Sequence, residues 1–154
     1  MKRVGNLWAA IVSPANLLEA AQAAARGKRQ RSDVARFLLN LEPELIRLRR
    51  ELVEGSYAPG GYRTFQVEDP KPRLISAAPF RDRVVHHALT RVIEPVFERR
   101  FTTDSFACRK GLGTHRAIER ARQGCKRCAF VLKCDVRKYF PSIDHEILKG
   151  FSRV

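Results

Sequence analysis

At 154 residues the chain is about one domain long, and its 44% hydrophobic content supports a core and excludes a wholly disordered chain. Its 30 Lys and Arg outnumber 16 Asp and Glu, and a net charge of +14 suits a polyanion such as nucleic acid, which releases counterions on binding. No apolar run approaches the roughly 20 residues that span a bilayer, and Met1-Lys2-Arg3 opens no signal peptide, so no membrane partner is expected.

Ser13 then Pro14 read as an N-cap and first helical position, with Leu17, Leu18, Ala21, Ala24 and Ala25 on the inner face and Gly27 as the stop. The basic run Lys28-Arg29-Gln30-Arg31 is a connector, either solvated or on phosphates. Val34, Phe37, Leu38, Leu41, Leu45, Leu48 and Leu52 recur at steps of three and four, which predicts an apolar helical stripe. Pro43 inside it predicts a kink or a second helix beginning nearby. After Gly55, Pro59, Gly60 and Gly61, the alternation from Tyr62 to Val67 predicts a strand with Phe65 and Val67 on its apolar side. Asp69-Pro70-Lys71-Pro72 is a turn and Arg73–Ser76 the returning strand, a hairpin with Lys71 and Arg73 at or near its tip.

Beyond Pro79 a helix is expected with Phe80, Val84, Ala88, Val92 and Val96 inward and Pro95 disturbing its last turn. Thr114 is expected to cap a short helix with Ala117, Ile118 and Ala121 inward, and Ala129–Leu132 to form a buried strand delivering Asp135. A Tyr139-Phe140-Pro141 bend and a final amphipathic helix reaching Val154 follow. Cys125 and Cys128 have zinc-ligand spacing without a second pair, so a polar turn is the simpler reading; with Cys108 and Cys134 they suit a reduced, cytoplasmic setting. His86, His87, His115 and His145 lack partners at catalytic spacing and read as structural, and Asp144 as a helix N-terminal charge.

A carboxylate leaving a buried strand can hold a divalent cation at the mouth of a cleft, as nucleotidyl transfer requires of its Mg2+ ligands. A ring at Phe140 could lie against a sugar and exclude a 2′-hydroxyl. On local features alone, a turn or cap residue is the simpler reading of Asp135.

The segment Val131–His145 resembles motif A of reverse transcriptases: an apolar strand, Asp135, an aromatic at Phe140, then Ile143-Asp144. Asp69–Ser76, Pro79–Leu89, Ile93–Glu98 and Asp104–His115 are similar to the fingers motifs of the same enzymes, in the same order. The likeness runs from about Leu17 onward and is greatest to bacterial members, above all those of diversity-generating retroelements; retron and group II intron enzymes are near neighbours. It implies Mg2+ held by Asp135 and the Val136 carbonyl, a triphosphate facing the amides of Lys138 and Tyr139, and Phe140 as sugar gate. Lys71 and Arg73 would close over the incoming nucleotide. Arg81 and Arg83 would serve template or nucleotide, or pair with Asp82 or Glu98, and Arg109 and Lys110 would touch backbone phosphates.

The Tyr-x-Asp-Asp carboxylates of that family are absent from this sequence, so the chain by itself is expected to bind nucleic acid without polymerising. The expected fold is α+β: the fingers and first palm strand of a right-hand polymerase, with the palm incomplete and no thumb. Residues 1–56 would form an N-terminal helical region, 57–128 the fingers, and 129–154 the start of the palm. An unpaired apolar edge is expected at Ala129–Asp135. The resemblance implies RNA template, DNA primer, deoxynucleotides and a basic accessory retroelement protein as partners of the full enzyme. The alternatives are a non-catalytic basic RNA-binding module, or a fragment docking on protein through the Val34–Leu52 stripe.

Overall fold

The computed structural model describes residues 4–68 and 70–152. The expected Asp69 turn position, the first three residues and the helix end beyond Ser152 lie outside the described residues. The chain forms two compact units that divide between Arg99 and Arg100. The first holds α1 (Leu7–Ile11), α2 (Pro14–Ala25), α3 (Ser32–Leu39), α4 (Leu41–Glu54), β1 (Arg63–Glu68), β2 (Pro72–Ala77) and α5 (Phe80–Glu98). The second holds α6 (Thr114–Cys125), a 3-10 turn (Phe140–Ser142) and α7 (His145–Ser152).

The helix starts and stops follow local chemistry. Ser13 Oγ accepts from the Asn16 amide at 3.3 Å, capping α2 ahead of Pro14. Gly27 and Gly55 take the left-handed backbone that ends α2's turn and α4. The predicted long stripe is broken at Asn40 into α3 and α4. Pro43 falls in the first turn of α4, where an amide has no intrahelical acceptor to lose. The stripe is consumed internally: Val34, Phe37, Leu48 and Leu52 are buried, and Leu38, Leu41 and Leu45 pack around them.

The core is built on α2 against α5. Small residues at Ala20, Ala21, Ala24 and Ala25 let the helices approach closely beside Leu17, Val84 and Ala88, and Phe37 meets the edge of Phe80 at 5.0 Å. Full burial of Leu17, Leu48, Val34 and Val84 contributes about 1.5–3 kcal/mol each. Asn16 joins three helices, its Nδ2 donating to the carbonyls of Ile11 (2.9 Å) and Ala88 (3.0 Å). Leu18 departs from the expectation: it lies exposed beside the core face.

β1 and β2 pair antiparallel, Phe65 opposite Ile75 and Val67 opposite Arg73. A lone two-stranded hairpin is marginal in water, and here its base is fastened to α5. Asp82, only 4% exposed, accepts from the Tyr57 hydroxyl at 2.6 Å and the Gly60 amide at 2.8 Å. A Cβ on Gly60 would fall 2.9 Å from Pro79 Cγ, so the loop closes on α5 only with glycine there. Burial, then the bond to Asp82, pushes the Tyr57 phenol well above its ordinary range.

The second unit corrects two expectations. Residues 129–136 form no strand, and Phe130, Val131 and Leu132 are 93%, 74% and 87% exposed. The apolar run is real, but no described strand offers it a ladder, and without ladder bonds an extended segment has no sheet to belong to. α6 is capped by the Gly113 backbone rather than by Thr114, and Ile118 and Ala121 are exposed, leaving no buried residue on that helix. Among the described residues, no helix is long and apolar enough to cross a membrane.

Tyr57→Phe leaves a buried carboxylate oxygen without its donor and should cost about 1.5–3 kcal/mol in urea unfolding; an unchanged midpoint would show that the bond is idle. His87 is held below the ordinary imidazole range, first by partial burial and then by Lys28, His86 and Arg83. The folded chain therefore takes up that proton less readily than the unfolded one. Stability should fall as pH drops through the unfolded value near about 6.5, and His87→Gln should flatten that part of the Tm profile.

Candidate nucleic-acid interface

The hairpin presents one composite face. Strand alternation puts Arg63, Phe65 and Val67 on the same side as Ala77, Ile75 and Arg73, so an apolar patch lies between two guanidinium groups. Arg63 sits over the Phe65 ring at 5.8 Å. Arg73 lies in β2 and Lys71 in the turn before it; both are exposed and form no ion pair with any described residue. Such a face offers stacking surface and phosphate-binding charge together.

Arg81 and Arg83 are engaged elsewhere. Arg81 pairs with Glu51 and lies over Tyr57 at 5.5 Å, and this bond holds the Glu51 carboxyl below its usual range. Arg83 Nη2 donates to Asp33 at 3.1 Å and its guanidinium covers Phe80 at 5.3 Å. These partners replace the expected Asp82 and Glu98, because Asp82 is turned inward to Tyr57 and Gly60. The sequence reasoning missed the Tyr57–Gly60–Asp82 fastening. Its one sequence signal is an acid in the first turn of a helix, flanked by arginines, following a Tyr-Ala-Pro-Gly-Gly loop.

In the second unit, Asp135 and Val136 lie exposed in an irregular stretch, and Asp135 makes no hydrogen bond or ion pair among the described residues. Lys138 adopts a left-handed backbone (φ 51°), a costly choice for a residue with a Cβ. The turn is held by the Ser142 amide donating to the Lys138 carbonyl at 3.0 Å and Ser142 Oγ to the Tyr139 carbonyl at 2.9 Å. Within the described residues, the amides of Lys138 and Tyr139 donate to nothing. Tyr139 and Phe140 meet edge to face at 5.2 Å, and Phe140 is 80% exposed. Asp144 caps α7, its Oδ1 accepting from the amides of Glu146 (2.8 Å) and Ile147 (3.1 Å). Arg109 Nη1 donates to the carbonyls of Thr102 and Ser105 at 3.0 and 2.8 Å, while Lys110 is exposed. Arg120 forks onto Asp104 and holds its carboxyl low.

Two Mg2+ ions need several carboxylates in one place. Among the described residues, no three His, Cys, Asp or Glu gather, at Asp135 or around Cys125 and Cys128. The donors among the described residues therefore do not by themselves fit the metal pair.

No family model matches the chain. It is similar to Protein YkfC of Escherichia coli K12, 30% identical over 115 residues, covering 70% of this chain and 30% of that protein. It is 33% identical over 69 residues to nuclear intron maturase 1, mitochondrial, of Arabidopsis thaliana, covering 45% of this chain and 10% of the relative. Nuclear intron maturase 2, mitochondrial, of the same plant is 27% identical over 122 residues, covering 69% and 16%. The chain thus spans less than a third of each of these relatives and is a distant homologue of intron maturases.

Proposed function

We propose that this chain binds RNA as the fingers region of a reverse-transcriptase-type protein, with intron RNA as the substrate class. The observation that carries the reading is where the first unit leaves its positive charge unpaired. Arg47, Arg81, Arg83 and Arg91 on the helical body are matched to Glu51, Asp33 and Glu19. Arg26, Lys28, Arg29 and Arg31 in one loop, and Lys71 and Arg73 on the hairpin, have no acidic partner among the described residues. Arg36, Arg49 and Arg50 on α3 and α4 likewise lack an acidic partner, but four unpaired cations within residues 26–31 concentrate positive charge that attracts a polyanion. The order of the fingers-like motifs and the similarity to intron maturases support RNA as that polyanion.

The whole-protein activity belongs to the same proposal: RNA-directed DNA synthesis from a primer, with Lys71 and Arg73 of the first unit and Lys138, Tyr139 and Phe140 of the second each assigned to deoxynucleotide binding by the motif resemblance. Asp135 and the Val136 carbonyl would then share Mg2+ with carboxylates that the described residues do not supply. The Phe140-Pro-Ser-Ile-Asp144 segment favours the diversity-generating subtype, and with it an accessory retroelement protein.

Anisotropy titration of a labelled intron RNA over a salt series tests the binding claim. The logarithm of the association constant should fall with the logarithm of salt by about 0.7 per phosphate contacted on single strands; a flat response overturns it. Primer extension on an RNA template with Mg2+ and deoxynucleotides should yield no product from this chain alone. Any incorporation would refute the argument from the lone carboxylate.

A further inference from the structure

Two polar crevices of the first unit share one loop. The larger, about 420 Å3, is bounded by Arg31, Ser32 and Asp33 at the start of α3, Gly61 and Arg63 at the start of β1, Ala77–Pro79 before α5, and Arg83 in its first turn. The other, about 360 Å3, is lined by Glu19, Gln22, Arg26, Arg29 and Arg91. The loop between α2 and α3 supplies Arg26 and Arg29 to one and Arg31 to the other.

The larger crevice is lined by three arginines, Arg31, Arg63 and Arg83, and one acid, Asp33. Arg83 gives Nη2 to Asp33, yet its Nε is buried and has no hydrogen-bond partner. A buried guanidinium N–H without an acceptor is a cost that folding leaves unmet. Arg31 and Arg63 make no ion pair among the described residues, and Arg63 lies over the Phe65 ring at 5.8 Å, so both keep their charge unneutralised. The smaller crevice has Arg91 already committed to Glu19 and Asn16, with Arg26 and Arg29 left over.

Resting on the RNA-binding reading above, we propose that the Arg31–Arg63–Arg83 crevice holds a backbone phosphate of the bound RNA, with the strand continuing along the loop past Arg29 and Arg26. A guanidinium fork matches two phosphate oxygens. The loop between α2 and α3 gives cations to both crevices rather than to one closed cage, which suits a chain of phosphates. Contacts of this kind fix position without reading sequence.

The test uses the full chain and a short labelled single-stranded RNA across a KCl series. Arg31→Ala and Arg63→Ala should each weaken binding several-fold and lower the salt slope by about 0.7. Arg50→Ala removes the same charge from an exposed position on α4 and should change neither. Arg83→Lys keeps the charge but loses the fork, and should weaken binding while circular dichroism stays native. In the unmodified chain, the Arg83 Nε–H resonance should shift on RNA addition. The site is overturned if Arg31→Ala and Arg63→Ala behave as Arg50→Ala does while the chain still binds RNA. It is also overturned if polyglutamate displaces the RNA at equal charge concentration, which would mark an acidic protein as the occupant. Absence of salt-dependent RNA binding in the unmodified chain would sink the broader reading and the site with it.

Discussion

The hairpin's placement depends on the buried carboxylate of Asp82. Removing a carboxylate from water is expensive, and here the expense is offset by one phenolic hydroxyl and one backbone amide, both from the loop that feeds β1. Those bonds fix the 57–61 loop against the first turn of α5, and Gly60 is the residue small enough to let it come so close. Because β1 and β2 bury little of their own surface, the strands inherit their position from this attachment. Arg63, Lys71 and Arg73 are therefore aimed by a residue that touches none of them.

Charge is sorted by the same architecture. A net of +14 raises the self-repulsion of a compact state, and the helical body moderates it by matching Arg47, Arg81, Arg83 and Arg91 with three acids. Much of the excess is carried by a loop and a hairpin, and Arg36, Arg49 and Arg50 add to it from the helices. Arg83 belongs to both populations, since one nitrogen is paired with Asp33 and another is buried without an acceptor.

The second unit is different in kind. Its described residues bury almost nothing, display Phe130, Val131, Leu132 and Phe140, and bring no group of three His, Cys, Asp or Glu side chains together at Asp135. A segment of this composition forms a strand only where a neighbouring strand supplies ladder bonds. In that state Asp135 would leave a strand, as motif A resemblance implies. The described residues supply its turn, at Lys138–Ser142, and its capped helix, α7, but not the ladder.

Sequence by itself determined the elements whose signals lie within a turn or two of chain. Ser13-Pro14, Gly27 and Gly55 mark helix ends because a cap or a left-handed backbone is a local need. The apolar periods of α2 to α5 and the alternation of β1 are repeats read over a few residues. Only the tertiary structure decided which acids claim Arg81, Arg83 and Arg91, since Glu51, Asp33 and Glu19 lie far away along the chain. It likewise decided that Asp82 points inward and that 129–132 stays unpaired. Ion pairs, buried hydrogen bonds and strand ladders each need a second group brought from elsewhere, and no local pattern records where that group will be.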